Sequence, residues 1–96
     1  MIPEAIIRVR FLTREEGGRP TSITNDRYGC PIMVDGRGFD CRFVLPDVSH
    51  FELGKTYEIP VKFLDPDNAL RVLKKATPIR LWEGKTVAVG TLIEIL

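Results

Sequence analysis

The feature that most constrains this chain is a period-two alternation of apolar and polar residues, broken at short intervals by glycine and proline. Ile7, Val9 and Phe11 alternate with Arg8, Arg10 and Leu12, which predicts a strand with a basic outer face. Pro31-Ile32-Met33-Val34 is a second apolar run, and Asp35-Gly36-Arg37-Gly38 predicts a hairpin turn after it. Phe39, Cys41, Phe43 and Leu45 then share one face against Asp40 and Arg42, with Pro46-Asp47 ending the run. Tyr57, Ile59, Val61 and Phe63 oppose Glu58, Pro60 and Lys62. Pro60 lacks an amide donor, so this strand is expected at a sheet edge or with a bulge. Residues 78–82 predict a fifth strand, and Val87, Val89, Thr91, Ile93 and Ile95 a sixth. Between the fourth and fifth, Asp65-Pro66-Asp67-Asn68 signals a turn, and residues 69–75 are read as a loop with at most one short helix.

Six short strands separated by turns predict an antiparallel β-barrel or a sandwich, and the alternation alone does not choose between them. Closure into a barrel would remove the exposed edges of an open sheet. At 96 residues the chain is expected to form one domain over residues 1–96, without room for a catalytic domain beside a second module. Hydrophobic residues make up 44% and charged residues 28%, which excludes a disordered tail. The net charge of +1 supplies no global field for a polyanion, so any nucleic-acid contact must come from a local patch. Met1-Ile2-Pro3-Glu4 lacks the basic start of a signal peptide, and no apolar run approaches the ~20 residues that span a bilayer. A cytoplasmic location without membrane contact is expected.

The chain carries few groups that suggest catalysis. His50, the single histidine, reads as a surface loop residue, and Ser49 beside it points the other way on an extended chain. Glu15 and Glu16 form the tightest carboxylate pair, expected to be solvated on a glycine turn. Cys30 and Cys41 are too few and too poorly spaced for a metal knuckle. They are expected as two reduced, partly buried thiols, the alternative being a disulfide between neighbouring strands. Glu83-Gly84-Lys85-Thr86 contains Gly-Lys-Thr but lacks the earlier glycine of a phosphate loop and precedes a strand. No enzyme activity, metal, cofactor or nucleotide is expected.

Two glycine-centred turns carry a resemblance. Arg14-Glu15-Glu16-Gly17-Gly18-Arg19-Pro20-Thr21 follows the first strand, and Glu83-Gly84-Lys85-Thr86 joins the last two. Between them lie Tyr28-Gly29-Cys30-Pro31, Val44-Leu45-Pro46, Leu53-Gly54-Lys55-Thr56 and Leu64-Asp65-Pro66. In order and spacing these pieces resemble the C-terminal β-barrel domain (domain III) of bacterial elongation factor Tu, here standing alone. That family has a Glu-Glu-Gly-Gly-Arg turn, a Gly-Tyr-Arg-Pro turn and a closing Glu-Gly-Gly-Arg-Thr-Val hairpin. The resemblance implies an all-β fold, a single six-stranded antiparallel β-barrel, with no catalysis of its own. In the family this barrel packs on neighbouring domains and holds the acceptor and T arms of aminoacyl-tRNA.

The match departs from the family on the tRNA-facing turns. Pro20 replaces a histidine, Cys30 an arginine, and Glu83 one hairpin glycine, while the arginine opening the hairpin is lost around Leu81 or Trp82. Arg19, Thr21, Lys85 and Thr86 remain. Losing these side chains removes charge-assisted contacts to a phosphate backbone. If Ile79 and Leu81 face inward, Arg80 and Trp82 face outward beside the hairpin. Trp82 then either covers the barrel rim, anchors a protein or stacks a base. The expected binding residues are Arg19, Thr21, Arg80, Trp82, Lys85 and Thr86. A protein partner is preferred, with a tRNA arm as the alternative.

Overall fold

The computed structural model describes residues 2–24, 28–45 and 50–96. The expected turn at Pro46-Asp47, Ser49 and Met1 lie outside the described residues. Six antiparallel strands form the wall: β1 (Ala5–Phe11), β2 (Gly29–Val34), β3 (Arg37–Phe43), β4 (Thr56–Phe63), β5 (Pro78–Trp82) and β6 (Thr86–Ile95). They close into a barrel in the order β1-β4-β3-β2-β5-β6, so the fold is the barrel and not the sandwich. One helix, α1 (Pro66–Val72), lies between β4 and β5.

Period two builds the core directly in β1, where Ala5, Ile7, Val9 and Phe11 are fully buried. Ile32, Ile59, Val61, Ile79, Leu81 and Leu92 meet them inside. β2 and β3 join through Asp35 and Gly36 alone, with φ of 49° and 78°, the positive pair of a two-residue hairpin turn. Arg37 and Gly38 therefore belong to β3 and not to the turn.

Pro60 sits inside the closed wall, paired with Ile6 of β1, rather than at a sheet edge. Its carbonyl accepts from Val44 N–H at 2.8 Å, so its nitrogen faces β3 just where that ladder ends after Phe43↔Val61. The Val44–Pro60 pair therefore carries one ladder bond in place of the reciprocal two, and the β3–β4 ladder ends there.

β6 departs from simple alternation. Val87 and Ala88 are both buried, Val89 points outward, and Leu92 returns to the core. The β5–β6 register shifts between Leu81 and Trp82, pairing Leu81 with Ala88 but Trp82 with Thr86. A second shift, between Ile6 and Ile7, lies on the β1 side. Such a bulge exchanges inner and outer faces, which is why Val89 does not share a face with Val87.

The two barrel ends are closed differently. At one end α1 turns Ala69 and Leu73 inward, both fully buried. Its start is fixed by Asp65, whose carboxylate accepts from Asn68 N–H at 3.5 Å, with Pro66 in the first turn. The helix thus begins before the segment expected from sequence. At the opposite end Ile23 and Phe51 form a two-way backbone bridge of 3.1 and 2.8 Å. Phe51 there packs against Phe11, Phe43 and Tyr57.

Candidate macromolecule-binding surface

The first glycine turn and the β5–β6 hairpin meet at the end closed by Phe51. Leu12 N–H donates to the Val87 carbonyl at 2.9 Å, tying the exit of β1 to the start of β6. The turn is then folded by Gly18 N–H on the Thr13 carbonyl at 2.9 Å. Glu16 clamps it: its carboxylate accepts from Thr13 N–H at 2.9 Å and from both Arg10 guanidinium nitrogens at 2.8 and 2.9 Å. Glu16 is therefore an internal ion-pair partner and not a freely solvated carboxylate.

The Arg10 hydrogen bonds, followed by that of the Thr13 amide, hold the Glu16 carboxyl down at about 2. A depressed folded pKa adds stability above the ordinary value of 4.5 and loses it as pH falls toward about 2. An NMR acid titration should show the Thr13 amide shifting with a midpoint near 2. A midpoint near 4.5 would mean that the clamp does not form in solution.

Arg19 does not project freely from this rim. Its guanidinium donates to both Glu83 oxygens at 2.5 and 2.7 Å, its Nε donates to the Thr21 carbonyl at 3.2 Å, and it lies 5.8 Å from the Tyr28 ring centre. The Tyr28 hydroxyl donates to the same Glu83 carboxylate. Burial lowers the Arg19 pKa, but the hydrogen bonds and charge of Glu83 outweigh it and raise it. Burial, then Cys30 and Glu83, raises that of Tyr28. Glu83 joins the hairpin to the first turn and to the entry of β2. Sequence gave no sign of that link, because 64 residues separate the partners.

The other expected residues remain at the surface. Arg80 and Lys85 are exposed, Thr21 is exposed, and Thr86 is half-buried opposite Trp82. Trp82 is 37% exposed, pointing outward as the alternation of Ile79 and Leu81 requires. Arg80 lies between Met33 of β2 and Val89 of β6. Val89, 36% exposed, adds an apolar side chain to the outer face of β6. The only signal for it would have been the bulge.

Cys30 and Cys41 face each other across β2 and β3 as free, buried thiols, and the Cys41 thiol donates to the Cys30 carbonyl at 3.2 Å. Burial pushes Cys30 up to about 11 and Cys41 up to about 12. Both are thiols, not thiolate nucleophiles, at neutral pH. His50 is exposed, 3.8 Å from Glu52. Among the described residues no group of three His, Cys, Asp or Glu side chains could hold a metal ion, and no helix is long and apolar enough to cross a membrane.

No protein-family model matches this sequence, and no curated protein matches it either.

Proposed function

We propose that this chain is a non-catalytic binding module that docks a protein partner through the outer face of the β5–β6 hairpin, with Trp82 as anchor. The observation that carries this reading is the division of labour at the rim. Arg19 and Glu83 are spent on holding the turns together, whereas Trp82, Val89, Arg80 and Lys85 are left at the surface. A large aromatic beside a second apolar side chain, edged by cations, is the composition of a protein interface core rather than of a phosphate track. The order of the turns in a six-stranded barrel supports kinship with the C-terminal domain of elongation factor Tu, and with it a place in translation. Free buried thiols favour a cytoplasmic setting.

The second reading, contact with a tRNA arm, draws on Arg80, Lys85 and Thr86, with Trp82 available to stack a base. Lysate capture with and without nuclease separates the two. Trp82→Ala should cost about 2 kcal/mol of partner affinity while the melting temperature stays close to that of the parent. Arg80→Ala with Lys85→Ala should instead slow association and flatten the salt dependence. Nuclease-sensitive capture, lost in the charge variant and kept in Trp82→Ala, would replace the protein reading by the RNA one.

A further inference from the structure

The wall beside Trp82 is not flat. Ile32 of β2 pairs with Leu81 of β5, so Pro31 is the next residue toward Trp82, and Pro31 in turn pairs with Asp40 of β3. Beyond Pro31 a groove of about 390 Å³ opens across β2, β3 and the end of β4, lined by Gly29, Pro31, Asp40, Arg42, Lys62 and Leu64. Gly29 makes this groove. A Cβ there would come within 2.6 Å of Arg42 Cδ and 2.7 Å of its guanidinium, so the arginine lies along a floor that any larger residue would fill. Leu64 stands at the far end, 81% exposed. From β5 to β4 the track crosses three strand spacings, about 14 Å, which matches about four residues of extended chain at ~3.3 Å each.

The charges along the track are unequal. Among the described residues, Arg42, Arg80 and Lys85 have no carboxylate within 4 Å. Glu16 and Glu83 on this side are already held by Arg10 and by Arg19 with Tyr28. Lys62 is paired with Glu4 at 3.3 Å, and Asp40 is the one acidic side chain in the groove.

We infer that the partner reaches this surface with an extended acidic segment, one apolar side chain seated on Trp82 and carboxylates paired with Arg42 and Arg80. The inference rests on the protein-docking reading above and names its chemistry. Asp40 decides against a nucleic-acid strand along the same path. A peptide can pass it with an amide or a neutral side chain, but every unit of a phosphate chain carries a negative charge. Leu64 and Pro31 give apolar footing that a phosphate chain would not use.

The test is titration of the full chain with a short capped peptide containing one Phe flanked by Glu and Asp. A matched peptide with Lys at every acidic position and a short oligouridylate serve as the other probes. The single tryptophan makes intrinsic fluorescence a direct readout of Trp82, and amide shifts of Gly29 and Arg42 report the groove. The acidic peptide should saturate both signals, and Arg42→Glu should weaken it roughly tenfold or more in a salt-dependent way. Arg42→Gln, which removes the charge without adding a carboxylate, should give a smaller loss and covers the case in which Arg42→Glu does not fold. Equal or tighter binding of the Lys peptide at Trp82 would overturn the acidic assignment and leave the docking reading standing. So would an acidic peptide indifferent to both Arg42 variants. Saturation by oligouridylate alone would overturn both, and silence from all three probes would overturn the inference.

Discussion

Phe51→Ala should destabilise the protein by about 3–5 kcal/mol, the range for emptying a buried aromatic site that cannot collapse. Phe51 is 5% exposed and stands edge-on to Tyr57 at 4.9 Å and to Phe43 at 5.6 Å, with Phe11 tilted against it at 5.7 Å. Its aromatic neighbours come from three different strands, β1, β3 and β4, whose paired backbones hold them in place, so they close the gap only in part. Each edge-to-face pair adds about 0.5–1.5 kcal/mol beyond area burial. Phe51→Leu keeps most of the volume and should cost ~1.5 kcal/mol or less. Urea unfolding checks both variants, with the midpoint moving at constant slope. A loss below about 1 kcal/mol for the alanine variant would show that Phe51 does not plug this barrel end.

Phe51 also marks where sequence reading stops. The strands were legible because each buries one face: β1, β4 and β5 fall where alternation places them, and Trp82 is outward for that reason. Phe51 lies off any alternating run, in the connection between β3 and β4, and its partner Ile23 lies in the connection between β1 and β2. No local pattern announces that two loops will pair across a barrel mouth. The same holds for Arg19, Tyr28 and Glu83, whose meeting depends on strand order. The face taken by Val89 was hidden for a different reason. A bulge is one residue of slippage, and apolar residues at positions 87, 88 and 89 fit either register equally well. Pro60 was misread because a missing donor was equated with a sheet edge, whereas a ladder that ends beside it serves as well. The rim was therefore legible as a set of residues but not as a division between those that hold the turns and those that face outward.

Gly90→Ala should cost ~3 kcal/mol or more, at the upper end of overpacking penalties, because the obstacle is backbone. Gly90 pairs with Val9 on one side and Ile79 on the other, where β6 closes the barrel between β1 and β5. A Cβ at this position would fall on the Arg8 carbonyl oxygen and lie 2.8 Å from Val9 Cα. Neither can rotate away as a side chain would, so alanine can enter only if β1 and β6 separate. Gly84 provides the contrast. It has φ of 75° and nothing within 4 Å of an added Cβ, so Gly84→Ala should carry only a left-handed backbone cost of about 1–2 kcal/mol. For a domain of this size the Gly90 variant should melt about 12–24 °C below the parent, several degrees further than the Gly84 variant. It should also weaken binding at Trp82, because the strand that must shift carries Val89 and leads back into the hairpin beside the anchor. A Gly90→Ala protein melting within a few degrees of the parent would mean that the β1–β6 seam is looser than this close approach requires.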